Sequence, residues 1–504
     1  MKVLLVNPNR TGTDIYNIPP MHLVCIAQVV NKCGHSSEIF DVPFLRAKRL
    51  VDLLADQMVF EESMISEILE KDFDILGIGG IVSGFSFSKK LVTRCKEVNP
   101  EVPIIIGGSL GIPNVELWQD RTGIDYLVEA DGDLVMEKFL AAYPDNMEKL
   151  FDIPGLWCRG EDGRFIPSAP DLPADLDYLD FPDWSLLDNL EEQLDQFTQY
   201  INNTLPAELK LAKTDRFLPI LMTRGCPFRC TFCYHSSPTF RKHSIDYVIR
   251  FLKHVKVKYG ITHLATWDDL IITHRKWFAE LCDEIAKQDL GLTFYGAGGK
   301  PNLMRKDLVD SMKRAGFFRF SFGVESGSQE ILDIMKKRAT VEDNLEAVRM
   351  TARAGIYTML NMMLGMPGEN KSTLKDTSKF LVTLAKDGVI NSRRAYFSYA
   401  TGYPGTELYD WIVDRGFITD SEIYLKNQTG LGGYPFPLSD VTLKEMHRFK
   451  NITRLKMDFY YNRAHGYHFK AVVELIKDTA FLIAGELLPR SLRQRILEML
   501  RERS

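Results

Sequence analysis

The sequence predicts an α/β protein built from two successive parallel sheets and a helical C-terminal end. Over residues 1–143, short β-rich runs alternate with helical patterns, the signature of a parallel sheet with helices on its faces. Over residues 218–409 the alternation resumes at the longer spacing of a (β/α) barrel. Between them, residues 144–217 lose this periodicity, and the run Pro167–Asp177 is rich in proline and aspartate, which predicts an interdomain connector.

Composition sets the bounds. With 504 residues the chain is long enough for two or three domains with full cores. Hydrophobic and charged fractions of 45% and 26% are those of an ordinary globular protein. A net charge of -5 gives no reason to expect nucleic-acid binding. The opening run Lys2–Asn7 reads as a strand and is too short and too weakly basic for a signal peptide. No stretch offers the roughly eighteen consecutive apolar residues of a membrane span. A cytoplasmic location is the expectation. Cys25, Cys33, Cys95, Cys158 and Cys282 are scattered without metal or disulfide spacing, as buried thiols of a reducing compartment would be.

In the first part, strands are expected at Lys2–Asn7, Ser37–Asp41, Ile75–Gly80, Pro103–Gly107 and Tyr126–Val128. Several end in small or polar loops: Asn7–Gly12, with Asn9, Arg10, Thr11 and Gly12; Gly79–Gly84, with Gly79, Gly80 and Ser83; Gly107–Gly111, with Gly107, Gly108 and Ser109; and Glu129–Asp133. Such carboxyl-end loops form the ligand crevice of an open α/β sheet, although glycines also serve ordinary tight turns.

In the connector, Phe181 and Trp184 are expected to pack the chain onto the second sheet. That sheet is expected from six strands, Leu218–Thr223, His263–Trp267, Leu292–Gly296, Phe318–Gly323, Thr358–Leu364 and Ala395–Ala400. Six rather than eight would give an open, partial barrel with functional groups at the carboxyl ends of its strands.

The most specific signal follows the first of these strands. Thr223–His235 places Cys226, Cys230 and Cys233 in the spacing Cys-x3-Cys-x2-Cys. Three thiolates so close in sequence can hold three irons of a [4Fe-4S] cluster and leave the fourth open, where a cluster held only by protein usually takes four cysteines. Zinc is the alternative. It normally needs a second ligand pair at a suitable distance, and His235 stands only two residues beyond Cys233.

This spacing, with Phe232 just before the third cysteine, resembles the radical S-adenosylmethionine (SAM) superfamily. The resemblance implies that the open iron binds the amino and carboxylate groups of SAM and that one electron from the cluster cleaves SAM to methionine and a 5'-deoxyadenosyl radical. It also implies cofactor contacts farther along. Asp268 and Asp269, after the second barrel strand, stand where the family places groups that meet the SAM amino group. Gly323, Glu325 and Ser326 follow the fourth, where Glu325 can accept hydrogen bonds from ribose hydroxyls or an ammonium. Gly365 lies in the turn Leu364–Glu369 after the fifth, which fits a backbone approach to adenine and methionine. Each alone fits a polar turn equally well.

Glycine loops at successive strand ends, upstream of this motif, resemble the cobalamin-binding domain of cobalamin-dependent radical SAM enzymes. The implied architecture is an N-terminal Rossmann-like cobalamin-binding domain (1–143), the connector (144–217), a partial (β/α)6 radical SAM barrel (218–409) and a helical C-terminal domain (410–504). None of the ten histidines sits in Asp-x-His-x-x-Gly, the pattern whose histidine ligates cobalt from below in methionine-synthase-type domains, so no protein histidine is expected beneath cobalt. Loss of the cofactor with retention of the fold is the alternative.

Functionally, the pattern is similar to radical C-methyltransferases and to the anaerobic magnesium-protoporphyrin ester cyclase. Methylation of an unactivated carbon in a small-molecule or lipid-like substrate is the leading expectation. Radical oxidation, cyclisation or rearrangement without methyl transfer is an alternative, and a non-enzymatic iron-sulfur sensor the outsider. A methylthiotransferase is disfavoured, because Cys25, Cys33 and Cys95 are poorly placed for the further cluster cysteines of that class. An electron donor such as flavodoxin or ferredoxin is implied as a partner. At the C-terminus, aromatic residues in Phe459–Tyr461 and Tyr467–Phe469 suit either a cap over the barrel mouth or ordinary core packing. The last stretch, apolar at Ala480–Ala484 and basic at Arg490, Arg493, Arg495, Arg501 and Arg503, suits peripheral contact with an anionic membrane or, as the favoured reading, a solvated helix face.

Overall fold

The computed structural model describes residues 1–9, 18–49, 57–119, 123–235, 237, 239–427, 436–469 and 471–476. The chain divides into two compact units, one of Met1–Gly298, Arg314–Phe317 and Thr401–Pro435, the other of Gly299–Lys313, Phe318–Ala400 and Phe436–Ser504.

The first unit opens with a seven-stranded sheet in the order β2-β1-β3-β4-β5-β6-β7. Strands β1 (Lys2–Asn7), β2 (Ser36–Asp41), β3 (Ile75–Gly79), β4 (Ile104–Gly107) and β5 (Tyr126–Val128) pair in parallel. Val3, Leu4, Leu5 and Val6 are all buried, as a parallel strand covered on both faces requires. Each contributes roughly 1.5–3 kcal/mol of apolar burial. Strand β1 has β2 on one side and β3 on the other, so the chain direction across the sheet reverses there, and the crevice at this switch point is where such sheets bind ligands.

Two strands of this sheet were hidden in the segment read as a connector. Strand β6 (Leu156–Arg159) pairs antiparallel with β5, and β7 (Phe165–Ile166) pairs antiparallel with β6. They are too short to show a period of two. Arg159 fixes the edge by donating to the backbone oxygens of Ile124 at 2.7 Å and Trp118 at 2.8 Å. Farther along, Phe181 stacks edge-on against Tyr247 in the helix Ile245–Tyr259, as expected, whereas the turn carrying buried Trp184 lies against the helix Met21–Lys32.

The second set of strands divides between the units, three in each. In the first unit β8 (Phe217–Ile220), β11 (His263–Thr266) and β12 (Thr293–Gly299) pair in parallel. The expected strand Leu218–Thr223 breaks after Ile220. Thr223–Arg224 (β9) instead pairs antiparallel with Arg241–Lys242 (β10). The cause is Asp268, whose carboxylate takes the Met222 and Thr223 backbone N–H groups at 2.9 and 2.6 Å and so draws them off the sheet line.

In the second unit β13 (Phe317–Glu325), β14 (Tyr357–Leu364) and β15 (Ala395–Tyr399) pair in parallel, with a register shift between Gly323 and Glu325. Its helix Lys371–Lys386 begins at a reciprocal cap of Asn370 and Thr373 and packs along the 22-residue helix Leu443–Ala464, where Thr453 donates to Ser378 at 3.0 Å. Of the C-terminal aromatics, Tyr467 and Phe469 are exposed rather than core residues. The apolar and basic stretches from Ala480 onward lie outside the described residues. Among the described residues no helix is long and apolar enough to cross a membrane.

Candidate active site

The cysteine loop leaves the sheet at β9 and returns at β10, so a two-stranded ribbon closes its base. Gly225 makes the turn into it with φ of 83°. A Cβ there would stand 2.2 Å from the Thr239 carbonyl oxygen, so only glycine fits without backbone movement. Asp269 accepts the Gly225 N–H at 3.0 Å, and Asp268 takes the Thr223 hydroxyl at 2.7 Å besides the two backbone groups. Burial pushes the Asp268 carboxyl up to about 7, against the pull of those donors, and burial also raises Asp269. Within the loop, the Cys233 N–H donates to Cys230 O at 3.1 Å and the Cys226 N–H to Ser237 O at 3.4 Å. The Leu408 N–H reaches Thr231 O at 2.8 Å, so the segment after the last barrel strand also pins the loop.

Cys226, Cys230 and Cys233 are all half-buried, as is Phe232. No three His, Cys, Asp or Glu side chains among the described residues converge on a single ion. A cubane does not ask its cysteines to converge, because each ligates a different iron.

Beside this loop, and still within the first unit, lies a cavity of about 510 Å³. One wall is the carboxyl end of the first sheet: Gly79, Gly80, Gly107, Gly108, Ser109 and the turn Ala130–Gly132. The other is the base of the cysteine loop, with Arg224, Gly225, Tyr234, Trp267 and Asp269. Gly108 has φ of 77°, and a Cβ on it would lie 2.4 Å from the Gly80 carbonyl oxygen, so the two glycine loops meet backbone to backbone. Ser109 Oγ accepts the Val82 N–H at 3.2 Å and ties the same loops together. Ala130 holds a left-handed φ of 61°, an uncommon conformation for a residue with a Cβ.

A charged cluster spans the two walls. Arg224 Nη1 lies 2.9 Å from Asp131 Oδ2 and also pairs with Asp133, and Arg241 Nη1 reaches Asp131 Oδ2 at 2.8 Å. Burial pushes Asp131 up, but the two guanidinium groups outweigh it and hold the carboxyl below the ordinary aspartate value.

The structure thus brings together Gly79, Gly80, Gly107, Gly108, Ser109 and Asp269 from the sequence expectations. Others it places differently. Asn9 is buried, donates to Glu61 at 2.9 Å and accepts from Arg46 at 3.2 Å, so it serves a polar network instead of the crevice. Arg10, Thr11 and Gly12 lie outside the described residues. Ser83 sits in the short turn Val82–Gly84 and does not line the cavity. Asp268 is turned beneath the cysteine loop as its brace, away from a cofactor-facing position.

The remaining expected residues belong to the second unit. Glu325, at φ of 66°, pairs with Lys337 at 3.1 Å beside Gly323. Ser326 is fully buried, its hydroxyl 3.2 Å from that of Thr377, so it faces the helix Lys371–Lys386. The Gly365 N–H donates to Glu369, a fully buried acid. Sequence reasoning missed Asp131, Arg224, Tyr234 and Trp267 as site residues. It had already marked the loop Glu129–Asp133, and an arginine two residues before the first cysteine was the available sign. His22, which stands outside the Asp-x-His-x-x-Gly pattern, has its Nε2 3.0 Å from Gly79 O on the cavity wall.

The radical SAM superfamily model matches residues 220–381. The chain is 27% identical to an uncharacterized methyltransferase of Pyrococcus horikoshii, over 83% of this chain and 84% of the relative. It is 25% identical to the anaerobic magnesium-protoporphyrin IX monomethyl ester cyclase of Rubrivivax gelatinosus, over 84% and 72% of the two chains. Among solved structures, the radical S-adenosylmethionine methyltransferase TsrM from Kitasatospora setae, with cobalamin and a [4Fe-4S] cluster bound, superposes with a TM-score of 0.62 at 19% identity, covering 82% of this chain and 78% of that one. Residues 220–381 thus match the radical SAM superfamily, and the chain shares its fold with the methyltransferase TsrM.

Proposed function

We propose that the chain is a cobalamin-dependent radical SAM enzyme that methylates an unactivated carbon of a small molecule. The observation that carries this reading is the single cavity whose walls are the glycine-lined sheet crevice and the base of the three-cysteine loop. Its volume of about 510 Å³ is that of a site for small molecules and cofactors. The donor sets suit the two groups: three cysteines in one loop for a cluster with an open iron, and a crevice where glycines at two successive strand ends let the backbone approach a flat macrocycle. When bound, the cluster and SAM supply a carbon-centred radical, and cobalamin supplies a methyl group to a carbon too unreactive to attack SAM itself.

The chain's own residues hold and orient. Asp268 and Asp269 fix the backbone from which the cysteine loop springs, and Arg224 fixes that loop to the crevice through Asp131. Trp267 presents its indole, 36% exposed, to the cavity and narrows the space open to water. Glu325, held by Lys337, is offered as an acceptor for the ribose hydroxyls or ammonium of SAM. A one-electron donor such as flavodoxin or ferredoxin completes the requirements.

The cyclase relative favours a second reading, radical oxidative cyclisation without methyl transfer. Anaerobic reconstitution with iron, sulfide, cobalamin and SAM carrying a deuterated methyl group, followed by mass spectrometry of products from a cell extract, separates the two. Methyl transfer gives a product that gains the labelled methyl; cyclisation gives one that loses hydrogen without label. Neither change, with full cofactor loading, contradicts both readings.

A further inference from the structure

We propose that the second unit docks on an anionic lipid bilayer, through a basic groove between two helices and an apolar stripe just beyond the end of the longer one. The helices Lys371–Lys386 and Leu443–Ala464 run side by side in the same direction. Lys371 pairs with Glu445 at 3.0 Å near their starts, Thr453 donates to Ser378 at 3.0 Å midway, and the Lys386 ammonium lies 4.6 Å from the centre of the Tyr460 ring near their ends. Side chains four residues apart share one helix face. Lys371, Lys375 and Lys379 therefore rim the groove on one side and Arg448 and Lys456 on the other, with Leu374 and Phe449 among its apolar lining. The one acid lining it, Glu445, is already held by Lys371. Lys375, Lys379, Arg448 and Lys456 are exposed and make no ion pair among the described residues. On a chain of net charge -5 this groove is a local reversal of sign, and it attracts a partner with many negative charges.

The stripe narrows the choice of partner. Past the groove the chain turns at Gly466, φ of 79°, and residues 468–469 and 471–476 are helical. Asn462 donates to Glu474 at 2.7 Å and ties this segment back to the end of the long helix. Ala471 is buried, whereas Phe469, Val472, Val473 and Ile476 are 83%, 46%, 39% and 64% exposed. Their spacing of i, i+3, i+4 and i+7 puts all four on one face of the helix. Nucleic acid or an acidic protein surface would answer the cations and leave this face in water. An anionic bilayer answers both, because lipid phosphates meet the ammonium and guanidinium groups while the acyl boundary takes in the apolar side chains, and binding grows with the sum of the two. A fluid surface also needs no shape complement, which fits a rim made mostly of flexible lysines. The surface is independent of the chemistry proposed above.

The test is co-sedimentation of the full-length protein with vesicles of equal parts phosphatidylglycerol and phosphatidylcholine, set against vesicles of phosphatidylcholine alone. The wild type should bind the anionic vesicles at least tenfold more tightly than the neutral ones, and added salt should shrink that preference. The combined charge reversal Lys375→Glu, Lys379→Glu and Lys456→Glu should abolish the preference. The pair Phe469→Ser and Ile476→Ser should weaken binding to anionic vesicles at least tenfold. Both variants alter exposed side chains and should keep the wild-type unfolding midpoint. A wild type that stays in solution with anionic vesicles, or that binds both kinds equally, overturns the proposal without need of a variant. Binding unchanged in either folded variant overturns it as well, because the contact then lies elsewhere on the chain.

Discussion

Arg224 and Asp131 meet at 2.9 Å, and through that contact the loop that bears the three cysteines is fastened to the loop that lines the glycine crevice. Arg241, only 1% exposed, reaches the same aspartate oxygen from the returning strand of the cysteine loop. Two cations on one carboxylate, with Asp133 as a further anion, leave no member of the cluster without an opposite charge. The base of the cysteine loop and the loop lining the glycine crevice are therefore held together by one set of ion pairs.

Removing Asp131 leaves Arg241 buried against an empty position. Breaking a buried pair typically costs about 3–5 kcal/mol, and Asp131→Ala is expected near the low end because Asp133 still serves Arg224. The pH dependence has a definite sign. Asp131 is held below its ordinary value, so its stabilisation is complete above the unfolded aspartate pKa and is lost as the pH falls through the native one. Urea unfolding at pH 7 should show the full loss, and the gap between wild type and variant should close in acid.

Gly225→Ala is expected to prevent assembly of the cluster. The new Cβ would be 2.2 Å from Thr239 O at a φ of 83°, so the ribbon under the cysteines must shift. Iron counting after reconstitution should fall well below the roughly four irons of one cubane. Iron content equal to wild type would show that the turn is not needed.

Gly108→Ala addresses the other wall. Its Cβ would strike the Gly80 carbonyl at 2.4 Å and push the two crevice loops apart. Cobalamin retained after gel filtration should drop at least tenfold while iron content stays at the wild-type level, because the cysteine loop is untouched. Parallel loss of both cofactors would contradict a crevice-specific effect.

Glu369 supplies a pH test in the second unit. Burial pushes this carboxyl up to about 7, with only the Gly365 N–H pulling the other way. A raised acid stabilises the fold fully below its unfolded pKa and loses that contribution as the pH rises towards 7. Glu369→Gln keeps a neutral acceptor for Gly365. Denaturation midpoints of wild type and variant should match near pH 4 and diverge in favour of the variant by pH 8; parallel profiles would contradict the buried neutral acid.

Much of this was legible because it is local. Three cysteines at fixed spacing, glycines at strand ends, and alternating runs such as Val3–Val6 each carry their meaning within a few residues. What was illegible depends on direction and distance. Asp268 and Asp269 are adjacent and chemically identical, yet one braces Thr223 from below while the other lines the cavity. Asn9 stands at a strand end like a ligand-binding residue but is drawn inward by Arg46 and Glu61, the latter 52 residues away. Strands β6 and β7 acquire their identity only by pairing with β5. His22 enters the crevice through a hydrogen bond to a carbonyl 57 residues on.

The most direct test of the central claim is the formation of 5'-deoxyadenosine by the anaerobically reconstituted chain given SAM and a one-electron reductant, followed by mass spectrometry. The wild type should produce it, and a variant with Cys226, Cys230 and Cys233 all changed to alanine should not. A wild-type chain with full iron content that yields none, or a triple variant that yields as much as the wild type, would contradict radical SAM chemistry at this cysteine loop.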